Sequence, residues 1–182
     1  MERFEDQVRR WAAAGINLIQ IREKSLEPGA LLALAEAARR TLDQAGSATK
    51  LLINGRADVA IAARADGVHV TAHPDELTPQ QVRTLYAHAR LQPPAVSVSC
   101  HTVDEVARAR DNGADLILFG PVFEKRVGHR LVASGVGLAA LGNACQTAKP
   151  LRVLALGGIT TKNASACVAA GVAGIAGIRT FQ

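Results

Sequence analysis

The stretch KLLINGRADVAIAARADGVHV, Lys50 to Val70, decides how this chain folds. It opens on a short aliphatic run, Lys50–Ile53, and closes on another, Gly67–Val70. Both are nearly continuous in apolar character, as expected of parallel strands covered on both faces. Between them, Arg56–Arg64 places alanine, valine and isoleucine at helical spacing. Strand, helix, strand is the unit whose crossover makes its two strands parallel.

The same unit recurs outward in both directions. Upstream lie a helix, Phe4–Ala14, a strand, Ile16–Ile21, and a second helix that Glu27-Pro28 opens and Gly46 ends, with proline in the first turn. Downstream, Thr78-Pro79 opens Gln80–Arg90, and Ala95–Ser99 is the next strand. Thr102-Val103-Asp104-Glu105 matches a capping box before Val106–Asn112, and Gly113 stands where a C-terminal glycine belongs. Asp115–Phe119, Leu151–Leu156 and Gly174–Ile178 are further strands. Gly137–Thr147 and Asn163–Ala170 are helices, the second capped by Thr160 or Thr161 and ended by Gly171.

About seven strands alternating with helices make an α/β fold with a parallel sheet. The pattern predicts a (β/α)8 TIM-type barrel that lacks its first strand and last helix, with residues 1–182 as one domain. A complete barrel has eight strands in about 250 residues. An open one exposes two strand edges, which invite pairing with another chain.

Composition narrows the partners. Hydrophobic residues make up 48% and charged residues 20%, which fits a globular chain. Lys and Arg total 21 against 16 Asp and Glu, which favours anionic ligands. Nucleic acid is ranked last, because the cations are dispersed and 3% aromatics leaves little for base stacking. Cys100, Cys145 and Cys167 show no metal-ligand spacing, and their odd number points to a reducing compartment. Glu2-Arg3-Phe4-Glu5-Asp6 is no signal peptide, and no apolar run approaches the roughly 20 residues of a membrane span. The expected location is cytoplasmic, with no membrane partner.

Barrels of this kind carry their sites on the loops after each strand. Gly157-Gly158-Ile159-Thr160 and Gly177-Ile178-Arg179 follow the last two strands, where backbone amides can approach a phosphate. Gln20, Arg22 and Lys24 alternate after the first visible strand and are expected to point one way, toward an anion. Asn54 follows the next strand and can bond a heterocycle or a phosphate, whereas Asp58 is expected to pair locally. The long loop Gly120–Gly137 carries Lys125, Arg126, His129, Arg130 and Ser134, and reads as a lid or binding loop. His69 and His101 can each transfer a proton, although a structural role is the better expectation for both.

Six stretches together resemble the thiamin phosphate synthase/TenI family. They are Gln20-Ile21-Arg22-Glu23-Lys24, Leu52-Ile53-Asn54, Ala65-Asp66-Gly67-Val68-His69, Val98-Ser99-Cys100-His101-Thr102, Phe119-Gly120-Pro121-Val122-Phe123 and Ala155-Leu156-Gly157-Gly158-Ile159. The resemblance implies a (β/α) barrel, usually a homodimer, acting late in thiamin biosynthesis on phosphorylated small molecules. The synthase branch joins a pyrimidine pyrophosphate to a thiazole phosphate, with Mg2+ helping the pyrophosphate leave. By position, Gln20, Arg22, Lys24 and Asn54 would hold the pyrimidine pyrophosphate. Lys125 would serve from the lid, and Gly157, Gly158, Gly177 and Ile178 would hold the thiazole phosphate.

The departures set the expected activity. Gly55 stands where the synthase has a metal-binding aspartate. Thr71-Ala72-His73-Pro74-Asp75 replaces the segment with the second, leaving Asp75 or Glu76 as a substitute metal ligand, out of register. The synthase lid carries Thr-x-Thr-Lys, whereas Glu124-Lys125-Arg126 follows Phe123 here. Asn-Gly-Arg is a TenI-like feature, yet Pro121 replaces the histidine that a TenI-type tautomerase uses as acid and base. His129 and His101 are then the candidate proton-transfer groups. On this reading TenI-like handling of a thiazole phosphate stands ahead of true synthase activity, with Mg2+ needed only for the latter. A binding protein without turnover is the third reading.

Overall fold

The computed structural model describes residues 2–127 and 130–177, with the backbone alone at 125–127, 130 and 132. Its elements fall into two compact groups, one formed by residues up to Val70 with Gln80–Val96, the other by Thr71–Pro79 with the residues from Ser97 on.

The first group begins with α1 (Glu2–Ala13), which has acids in its first turn, Arg10 in its last and Val8 buried, a charge order that complements the helix dipole. Next come β1 (Leu18–Ile21), α2 (Pro28–Gln44), β2 (Lys50–Asn54), α3 (Ala57–Ala62), β3 (Gly67–Thr71), α4 (Pro79–His88) and β4 (Ala95–Cys100). Proline stands in the first turn of α2, as its sequence predicts, and Leu31, Ala35, Ala37, Ala38 and Leu42 are buried. Small alanines let this helix lie close to its neighbours in a core almost free of aromatics. β2 pairs in parallel with β1 and with β3, and its Leu51, Leu52 and Ile53 are buried on both faces of the strand. Asp66 receives Arg39 at 2.7 Å, Lys50 at 2.9 Å and the Leu51 N–H at 2.9 Å, joining α2 and β2 to the turn that leads into β3.

The second group takes up the end of β4. It continues through α5 (Val103–Asp111), β5 (Leu116–Phe119), β6 (Lys125–Val127), β7 (Arg130–Ala133), α6 (Gly137–Ala148), β8 (Arg152–Leu156), α7 (Ala164–Ala169) and β9 (Gly174–Ala176). The capping box of α5 is present in full: Thr102 accepts from the Glu105 N–H, and Glu105 accepts from the Thr102 N–H. The start of α7 differs from expectation. Neither Thr160 nor Thr161 caps it; Asn163 occupies that position, and its side-chain oxygen accepts from the Thr160 N–H at 2.7 Å. The segment read as a long loop is a two-stranded antiparallel hairpin, β6–β7.

Seven strands lie in one sheet in the order β1-β2-β3-β4-β5-β8-β9. Sequential parallel strands linked by helices are the (β/α) barrel pattern, so the fold is TIM-type, with seven of the eight strands found among the described residues.

Candidate functional site

Strand alternation builds the first half of the site. In β1, Ile19 and Ile21 are buried while Leu18 and Gln20 on the other face stay half-exposed. Parallel register sets Gln20 opposite Leu52 and Asn54 opposite His69. Gln20 reaches along that face, and its side-chain N–H donates to the Asn54 side-chain oxygen at 3.0 Å. Gly55 follows immediately with φ +65, and its N–H donates to the His69 carbonyl at 2.8 Å. A tight turn thereby brings the chain out of β2 beside the end of β3.

His69 is 5% exposed. Burial, with the positive charge of Arg22 adding to it, lowers its pKa to about 4. The imidazole is therefore neutral at neutral pH and offers one donor and one acceptor. Gln20, Arg22, Asn54 and His69 thus gather at the C-terminal ends of β1, β2 and β3. His69 is the member that sequence reasoning set aside as structural. The signal that places it here is register, since two parallel partners put it beside Asn54.

Next to this polar group lies a cleft of about 300 Å3, lined among others by Glu23, Lys24, Leu31, Asn54, Gly55 and Arg56. The expected alternation of Gln20, Arg22 and Lys24 stops short, because β1 ends at Ile21. Glu23 and Lys24 consequently both line the cleft. Arg56 holds both oxygens of Asp58, at 2.9 and 2.6 Å, and this hydrogen bonding keeps the Asp58 carboxyl below its usual range. Local pairing of Asp58 matches its sequence.

The second group carries the glycine turn after β8. Gly157 has φ +95 and Gly158 φ +66. A side chain at Gly157 would meet Pro121 Cβ at 2.5 Å, and one at Gly158 would meet Phe123 Cβ at 2.8 Å. The Val122 N–H donates to the Leu156 carbonyl at 2.8 Å, and the Phe123 N–H to the Gly157 carbonyl at 3.1 Å. These glycines seat the segment after β5, a packing role that the sequence reading did not give them. The Thr160 N–H is taken by Asn163, whose side-chain N–H donates to the Gly158 carbonyl at 3.0 Å.

The remaining candidates are dispersed. Gly177 follows β9 and is half-buried, while Ile178 and His129 lie outside the described residues. Lys125 belongs to β6, and its side chain also lies outside the description. His101 Nδ1 hydrogen-bonds the Gly120 carbonyl. A carbonyl only accepts, so Nδ1 is the donor in this contact. Asp75 is 90% exposed on its side chain, 3.5 Å from His73 Nδ1.

A family model described as thiamine monophosphate synthase matches residues 1–181. The chain belongs to that family. A putative thiamine-phosphate synthase of Geobacter sulfurreducens is 41% identical over 167 residues, 90% of this chain and 72% of the relative. A thiamine-phosphate synthase of Chlorobium luteolum is 37% identical over 175 residues, 94% of this chain and 76% of the relative. Among solved structures, thiamine phosphate pyrophosphorylase from Pyrococcus furiosus superposes with a TM-score of 0.78 at 25% identity, covering 98% of this chain and 82% of that one.

Membership places this thiamine monophosphate synthase relative in thiamin biosynthesis and confirms the barrel. It also reverses the expected order of activities, since these relatives carry synthase names and not TenI-like ones. No helix among the described residues is long and apolar enough to cross a membrane.

The Mg2+ of the synthase branch does not fit the donors present. Mg2+ is bound through one or two carboxylates together with substrate phosphates. Gly55 has no side chain to offer, and Asp58 gives both oxygens to Arg56. Asp75 stands exposed beside His73, and among the described residues no three of His, Cys, Asp and Glu come together.

Proposed function

We propose that this chain forms thiamin phosphate, joining a pyrimidine pyrophosphate to a thiazole phosphate. The observation that carries the reading is the Gln20–Asn54 hydrogen bond, beside His69 and next to the cleft lined by Lys24 and Arg56. The names of its relatives support it.

In this reading the paired amides of Gln20 and Asn54 present fixed donors and acceptors to the pyrimidine ring. The bond from the pyrimidine methylene to the pyrophosphate oxygen breaks, the electron pair leaves with pyrophosphate, and the thiazole nitrogen forms the new bond to that carbon. Lys24 and Arg22 stabilise the charge that builds on the leaving group. A neutral His69 adds no positive charge beside the pyrimidine cation. The turn of Gly157 and Gly158, with Gly177 and Ile178, holds the thiazole phosphate. His101 acts as a positioning residue through the Gly120 carbonyl. His129, Lys125 and Asp75 have no assigned step, and a homodimer is the proposed assembly.

The test is incubation with both substrates and detection of thiamin phosphate after oxidation to its fluorescent product. Arg22→Ala and Gln20→Ala should each lower kcat/KM by about 10- to 100-fold. Saturable binding of both substrates with no product would replace this reading with that of a phosphate-binding protein without turnover.

A further inference from the structure

The donor set around Gly55 differs from what a divalent cation needs, and that difference has a consequence for the ligand. We infer that the cleft beside Gly55 holds a pyrophosphate ester with protein cations and hydrogen bonds alone, without a divalent metal. The ligand class rests on the synthase reading above; the independence from metal rests on the residues themselves.

Each side-chain oxygen that could serve a metal there is absent, engaged or set among cations. Gly55 brings no side-chain oxygen, and its turn is fixed by its N–H, which donates to the His69 carbonyl. The Asn54 side-chain oxygen accepts from Gln20 at 3.0 Å. Asp58 would have to give up a two-point pair with Arg56 to bind an ion. Glu23 is the one carboxylate lining the cleft, and it shares that lining with Lys24 and Arg56. Asp58 offsets the charge of Arg56, so what favours a polyanion over a divalent ion here is a lining with Lys24 and Arg56 as N–H donors and Glu23 as its carboxylate. An ammonium and a guanidinium can neutralise phosphate oxygens directly, Lys24 as a point charge and Arg56 through the part of its donor fork that Asp58 leaves unused. Complexation by Mg2+ removes charge from pyrophosphate, so the ion should compete with this cleft instead of bridging to it.

The experiment titrates the purified chain with inorganic pyrophosphate by calorimetry, in chelator and then in Mg2+. Affinity in Mg2+ should stay within about threefold of that in chelator, or fall below it, and Lys24→Ala should weaken binding about tenfold in both. Gly55→Asp restores a carboxylate at a backbone conformation that Asp tolerates among non-glycine residues. It should gain an affinity at least about tenfold higher with Mg2+ than without. Gly55→Asn, with the same backbone demand and no carboxylate, should gain none.

Wild-type affinity that rises about tenfold or more with Mg2+ overturns the inference, and its loss in Glu23→Gln would locate the ion. Failure to bind pyrophosphate in either condition overturns it as well. A folded Gly55→Asp chain without any Mg2+ response shows that position 55 is not the determinant, and equally counts against it. If that variant does not fold, the wild-type comparison decides alone. Thiamin phosphate formation is read separately. Metal-independent binding without product ends the synthase reading and leaves this inference standing; product with Mg2+-enhanced binding does the reverse.

Discussion

Three donors converge on the carboxylate of Asp66, from Arg39 in α2, the Lys50 side chain and the Leu51 N–H in β2. Burial works to raise its pKa, but the Leu51 N–H, Lys50 and Arg39 outweigh it and hold the group below the usual carboxylate range. Lys50 is 60% exposed on its side chain and adds little, as surface pairs do. Arg39 and Asp66 are each under 20% exposed on their side chains, at 18% and 19%, so their pairing matters more. Asp66→Asn leaves Arg39 partly buried with the more exposed Asp43, at 2.8 Å, as its remaining carboxylate partner. It should cost about 1–3 kcal/mol of unfolding free energy by urea titration at neutral pH. A change below about 0.5 kcal/mol would mean that water replaces the carboxylate without penalty.

At the scale of elements, α5 states its own start. Thr102 and Glu105 cap one another, and Thr102→Ala should cost about 1 kcal/mol, seen as a lower thermal midpoint with unchanged activity. This helix was legible because its signal is local, four consecutive residues of sequence. The parallel strands were legible because burial on both faces leaves an unbroken aliphatic run, as in Leu51, Leu52 and Ile53. The hairpin β6–β7 was not legible. Its strands Lys125–Val127 and Arg130–Ala133 are only three and four residues long and each opens on a basic residue, so neither is long enough to show an alternation, and pairing alone defines them. The seat of the segment after β5 was hidden because it too depends on contacts between distant residues. Gly157 and Gly158 read as ligand glycines, while their contact with Pro121 and Phe123 joins residues far apart in sequence. Within the site, Gln20 and Asn54 were each legible as polar strand ends. Their mutual hydrogen bond follows from a register that a single sequence does not print.

At the scale of the whole molecule, stability should depend on pH in two stages, and the first belongs to His69. Its pKa falls from 6.5 to about 4 on folding, with burial the larger cause and Arg22 the second. Between those values the unfolded chain binds a proton that the folded chain refuses. Folding is thus weakened as pH drops from about 6.5 to about 4, by on the order of 3 kcal/mol in total. Asp66 acts later and in the same direction. Its folded pKa lies below the ordinary 3.8, so its contribution is present above that value and is lost as pH falls through the folded one. Urea midpoints measured from neutral pH down to about pH 4 should therefore decline steadily, and His69→Gln should flatten that decline without removing the acid unfolding below it. A slope unchanged in His69→Gln, or imidazole resonances of His69 titrating near 6.5, would show that the ring is not held neutral by its surroundings. Arg22→Ala separates the two causes: it removes the lesser one, so the His69 pKa should rise only part of the way back. A bound anion facing Arg22 should do the same in the intact chain, which would link ligand binding to the proton affinity of a ring it need not touch.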